Sequence, residues 1–212
     1  MSGLVASSNR FGNYFRNKGI VTNPSTPNQQ IIRNIFGVFS TSWRLITQAN
    51  RDAWSAYAAA TPILKAGKTI YLTGQQMFIR CNTFRSYYGQ TAVFDGPTTA
   101  GLTTFTAVTA VASLATGLTV TIDPTDGWAN DNDGGLYGSL SDAQSASINF
   151  FKAPYRKGGG VTGTDSGPIP DTFIMSSTDG WALGKKVFVR VNATDADGRI
   201  GQAQELVTTI VA

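Results

Sequence analysis

The chain has 212 residues, 42% hydrophobic and only 14% charged, with 17 Lys or Arg against 13 Asp or Glu and a net charge of +4. This balance excludes general disorder, and the lone Cys81 excludes an intrachain disulfide and a Cys-based zinc site. The absence of histidine excludes Ser-His-Asp, Cys-His and His-zinc chemistry.

Residues 1–25 read as an extended arm. Gly3, Gly12 and Gly19 punctuate short stretches in which aromatics and cations alternate, as in Arg10-Phe11-Gly-Asn-Tyr14-Phe15-Arg16, with Lys18 close behind. A loose hairpin is compatible with this pattern, but it holds too little apolar material to stand alone, so the arm is expected to lie on a neighbour. Residues 26–95 read as a helical domain. Thr26 is a good N-cap and Pro27 fits the first turn, and Ile32, Ile35, Phe36, Phe39, Trp43 and Ile46 follow at amphipathic spacing. Thr47 caps a second helix that carries Trp54 and Tyr57 and ends before Pro62. Lys65-Ala-Gly-Lys-Thr69 is a turn, and Ile70-Tyr-Leu72 a short strand. Thr73 with Gln76 forms a capping box for a third helix, which bears Met77, Phe78, Cys81 and Phe84 and stops near Gly89.

Residues 96–212 change period from 3.6 to 2. Leu118-Thr-Val-Thr-Ile122 and Val187-Phe-Val-Arg-Val191 alternate, Val207–Val211 closes in the same style, and Asp197-Gly198 is a hairpin signal. Six or seven short strands in an antiparallel sandwich are expected. Thr125-Asp-Gly-Trp-Ala129 recurs as Thr178-Asp-Gly-Trp-Ala182. The plain reading is a turn that delivers a Trp to the core; the alternative is a Trp that stacks on a sugar.

Charge divides along the same lines. Residues 1–90 hold ten cations and one acid, Asp52, whereas residues 91–212 hold seven cations and twelve acids. Two modules with different electrostatic jobs are implied. No catalytic or metal-ligating constellation emerges. Counting back from Gly134 or Gly198 puts Ala129 or Ala193 at the first ligand position of an EF-hand loop, and Lys157-Gly-Gly-Gly160 reads as a flexible loop without a P-loop ending. We expect no enzyme, cofactor or metal. The N-terminal stretch lacks the apolar run of a signal peptide. The most apolar long window, Ala100 to Val120, is broken by Gly and Thr, so a soluble chain without a membrane span is expected.

The basic surplus, Arg10, Arg16, Lys18, Arg33, Arg44, Arg51, Arg80 and Arg85, is dispersed over arm and helices beside aromatics. Nucleic acid attracts such a surplus, but no groove-reading motif is present, and an acidic protein surface fits equally well and is favoured.

The segment Ser8-Asn-Arg-Phe-Gly-Asn-Tyr-Phe-Arg16, Thr22-Asn-Pro-Ser-Thr-Pro-Asn-Gln-Gln30, and then Arg33, Trp43, Leu45, Thr47, Arg51, Trp54, Tyr57, Ala58, Leu72-Thr-Gly74, Phe78 and Asn82 resembles structural proteins of tailed phages and prophages. The resemblance covers roughly residues 7–82 and departs at Asn50, where a Gln before the Arg is the pattern. Residues after Gly96 are similar to fibronectin-type or immunoglobulin-like modules that phages append to virion proteins. The resemblance implies a virion component. The expected protein is α+β: an extended arm, a short helical region, and an antiparallel β-sandwich of immunoglobulin/fibronectin type. Its expected role is a capsid decoration (cement) protein, made in the host bacterial cytoplasm and displayed on the capsid exterior. It would contact the major capsid protein through Arg10, Phe11, Tyr14, Phe15, Arg16, Lys18, Arg33 and Arg44, and self-associate, with a trimer as first expectation. The alternatives are a tail, baseplate or head-fibre component with a glycan-binding β domain, and a nucleic-acid-binding protein.

Overall fold

The computed structural model describes residues 4–9, 12–17, 25–65, 67–151 and 154–212. Its first element is an antiparallel hairpin of β1 (Leu4–Asn9) and β2 (Gly12–Asn17).

Helix α1 (Pro27–Leu45) begins as the sequence dictates: Thr26 and Gln29 exchange side-chain-to-backbone bonds in a capping box, with Pro27 in the first turn. Ile46 leaves the helix in an extended conformation, and Thr47 caps α2 (Gln48–Ala60) by accepting from the Asn50 amide. The corner between these helices leaves α1 carbonyls without helical partners. Arg51 supplies them: its Nε donates to Trp43 O (3.2 Å) and its Nη2 to Arg44 O (2.8 Å) and Ile46 O (3.1 Å). The short strands β3 (Ile63–Lys65) and β4 (Lys68–Ile70) pair across the expected turn, so the strand ends at Ile70 instead of starting there, and Ile63-Leu-Lys65 joins it. Helix α3 (Gly74–Tyr88) has the predicted Thr73/Gln76 capping box and ends on Gly89, whose φ of 88° is costly for any residue with a Cβ.

The three helices close over one aromatic core. Phe78 is ringed by Phe39 (6.0 Å), Trp43 (5.6 Å) and Trp54 (5.5 Å), with Met77, Cys81 and Ala58 buried around them. Trp54 is held by Nε1–H donation to Phe94 O (3.0 Å), and buried Asn82 pairs in both directions with the Val93 backbone. The Trp-x-Leu-x-Thr and Arg-x-x-Trp pieces of the sequence pattern are therefore explained by folding: a core ring, a helix cap, a carbonyl clamp and a second core ring.

The rest is a large, mostly antiparallel sheet, giving an α+β chain. Its strands are β5 (Thr109–Ser113), β6 (Gly117–Thr121), β7 (Gly135–Leu140), β8 (Arg156–Thr162), β9 (Thr172–Met175), β10 (Lys186–Thr194) and β11 (Gln204–Val211), in the order β8-β7-β10-β11-β5-β6-β9. Only the β11–β5 rung is parallel. The sheet curls so that its two halves share one core of Leu118, Val120, Trp128, Leu136, Leu140, Met175, Val187, Val189, Val191 and Ile210. The Lys157–Gly160 run forms part of β8 and is not a flexible loop. Its glycines are needed because Met175 and Tyr137 fill the space a side chain would take: a Cβ on Gly158 would collide with Met175 Sδ. Asp197-Gly198 forms the tip of a nine-residue connection, residues 195–203, longer than a two-residue hairpin, in which Ile200 still bridges Thr194 while its side chain enters the helical core.

Both Trp-bearing repeats deliver their rings to the sheet core. Trp128 is fully buried with Nε1–H on Asp126 (3.1 Å), and half-buried Trp181 packs on the same core with Nε1–H on Thr178 (3.0 Å).

The helical unit is bolted to the outer face of β7 and β10. Tyr88 stacks on Tyr137 (4.7 Å, 21°) and donates to Gly138 O (3.2 Å), while Gln90 bonds the Tyr137 hydroxyl. Arg85, with no exposed surface, donates from Nε to Thr91 O (2.8 Å) and from Nη1 to Thr194 Oγ1 (3.1 Å) and Asp195 O (2.6 Å).

Candidate attachment surface

An amphipathic helix normally turns its whole apolar arc inward. Helix α1 does not. Ile35, Phe39, Trp43 and Ile46 face the other helices, while Ile31, Val38 and Leu45, spaced by seven, run along one flank and Phe36 along the other. Leu45 is 80% exposed, Val38 59% and Phe36 53%. Two exposed cations lie on the side of Phe36, away from the Ile31–Val38–Leu45 row: Arg33 in the N-terminal half of α1 and Arg44 in its last turn. The hairpin adds Tyr14 and Phe15, the latter 74% exposed.

Of the eight predicted contact residues, Tyr14, Phe15, Arg33 and Arg44 are thus placed on the surface. Arg16 belongs to β2, but its side chain, like all of Arg10, Phe11 and Lys18, lies outside the described residues. Two members of the wider basic surplus leave it: Arg51 clamps α1 and Arg85 lies within the interface between the two units. Sequence reasoning counted both as surface charge because their partners are mostly backbone carbonyls, which carry no sequence signature.

The buried titratable groups act structurally. Burial pushes the Cys81 thiol up to about 11 and raises the Tyr57 and Tyr88 hydroxyls, all against the charged form. Asp195 is also raised by burial, although it accepts from Thr103 (3.0 Å) and pairs with Arg199 (2.8 Å). Among the described residues no group of three or more His, Cys, Asp or Glu could hold a metal, and no helix is long and apolar enough to cross a membrane.

No protein-family model and no curated protein matches the chain. Among solved structures it is similar to an Fn3-like protein from Clostridium thermocellum, at 17% identity over 52% of this chain and 96% of that chain, with a TM-score of 0.31.

Proposed function

We propose that this chain is a non-enzymatic structural protein of a tailed-phage particle. It is a capsid decoration protein that docks on the major capsid protein through its N-terminal hairpin and α1. The observation that carries this reading is the apolar flank of α1, Ile31, Val38 and Leu45, covered by nothing in its own chain among the described residues, on a helix that also exposes Arg33 and Arg44 on another face. Exposed apolar rows are the makings of protein interfaces. The basic surplus of residues 1–90 suits an acidic lattice, and the acidic sheet domain suits exposure to solvent. The strand order groups β5, β6 and β9 on one side and β8, β7, β10 and β11 on the other, which we read as an immunoglobulin/fibronectin-like sandwich. Self-association through α1, with a trimer at capsid three-fold positions, belongs to the same proposal.

Copy number per particle tests the location: lattice symmetry demands on the order of hundreds of copies, and about a dozen or fewer would assign the chain to the tail. Deleting residues 1–25 should abolish particle attachment and leave a folded protein. Attachment at the wild-type level would remove the docking model.

A further inference from the structure

A cleft of about 1010 Å³ opens where the first turns of α1, the last turn of α3 and the outer face of the sheet meet. Its lining includes four cations, Arg33, Arg156, Lys157 and Arg190, and no Asp or Glu. Three of those four come from the acidic half of the chain, which has only seven cations in all, so they gather here against the local charge balance.

Register explains the gathering. Lys157 pairs with Ser139, Ser139 with Arg190, and Arg190 with Glu205, one cross-strand row on the outer face. Lys157 and Arg190 therefore stand two strands apart, roughly 10 Å. Aromatic rings hold them in place: Lys157 Nζ lies over Tyr87 (5.2 Å) and Tyr88 (5.4 Å), and Arg190 Cζ over Tyr155 (4.6 Å). Their charge is only partly spent. Lys157 donates to Tyr87 O (2.7 Å), Arg190 uses Nε and Nη2 on one oxygen of Glu205, and Arg156 pairs with Asp142 at the rim.

We infer that this cleft is a receptor for an extended acidic polypeptide segment of a partner protein. Lys157 and Arg190 rise from strands roughly 10 Å apart, and an extended segment, which sets side chains on one side every ~7 Å, can offer a carboxylate to each while Arg33 lines the opposite wall, where a single small anion offers only one charge. A nucleic acid would need open ring faces, but Lys157 and Arg190 lie over these rings and Tyr137 stacks on Tyr88. The inference deepens the docking proposal and rests on it only for the source of the segment, an acidic loop of the surface beneath.

The test is fluorescence anisotropy on the full chain. The probes are a labelled oligoglutamate of about six residues, the matching oligoglutamine and an oligothymidylate, read against wild type, K157Q/R190Q, R33Q, and the charge-matched K65Q/K68Q, whose exposed positions lie outside the cleft. Oligoglutamate should bind, weaken with salt, and lose about tenfold or more in K157Q/R190Q and again in R33Q, while K65Q/K68Q stays within about twofold. Circular dichroism checks that each variant is folded, and R33Q carries the test should the double variant fail. Equal weakening by K65Q/K68Q, a cleft-dependent preference for oligothymidylate, or no oligoglutamate binding would each overturn the inference. Oligoglutamate binding that persists in a chain unable to attach to particles would count against the capsid reading and leave the cleft intact.

Discussion

Replacing Arg85 should cost more than any other single change to a charged side chain, and the reason can be worked bond by bond. Its guanidinium is fully buried, burial drives its pKa below the ordinary arginine value, and Nη2 has no partner among the described residues, so the charge itself is a burden. What offsets this are three donations to Thr91 O, Thr194 Oγ1 and Asp195 O, two of which cross from α3 to the last residue of β10 and the one after it. Arg85→Ala strands those acceptors and opens a cavity, for a net loss of about 3–5 kcal/mol. That is about a third to a half of the ~10 kcal/mol of an ordinary domain. Arg85→Met fills most of the volume and keeps the apolar contacts, so it isolates the polar part, about 2–3 kcal/mol. Urea denaturation followed by far-UV circular dichroism and tryptophan fluorescence measures both. Wild type should unfold in one transition, and Arg85→Ala should separate the helical from the sheet signal. An Arg85→Ala midpoint within about 1 kcal/mol of wild type would refute this account of the interface.

The two Trp repeats, identical over five residues, should part company in the same experiment. Trp128→Ala costs about 3–5 kcal/mol because the ring is fully buried, and half-buried Trp181→Ala about half that or less; equal losses would contradict the burial difference. Cys81 should resist thiol reagents in the native chain at about pH 7–9, its labelling limited by unfolding. Its folded pKa, about 11, lies above that of an exposed thiol, near 8.5, so stability is unaffected below both values and falls as pH rises between them. Rapid labelling of folded protein at neutral pH would contradict the burial of Cys81.

Much of the helical unit was legible because its signals are local. Thr26, Thr47 and Thr73 each sit one residue before a helix, and apolar spacing alone identified Phe39, Trp54 and Phe78 as facing inward. The sheet was legible as a class through its alternation, but its register was not. The row Lys157-Ser139-Arg190-Glu205 joins residues far apart in sequence, and Lys157 sits in a glycine run that reads as a loop until Met175 is seen to occupy the missing side chains' space. The cleft was invisible for the same reason: averaged over its half of the chain, its positive charge disappears into an acidic total. Of its four cations only Arg33 had been named as a contact residue. Ile200 was missed because nothing in its own connection announces a helical neighbour.

The glycines of β8 have one more effect. β8 and β9 are the two ends of the strand order, and a Cβ on Gly159 would sit 3.1 Å from Ile174 O, so the bare backbone of one end rests against the other. Unpaired strand edges are where sheet proteins recruit each other into aggregates, most readily when many copies are crowded together. By turning its two rims toward each other, this sheet withholds the template for such growth. Side chains at positions 158 and 159 would pry the rims apart, trading a self-contained fold for an adhesive one.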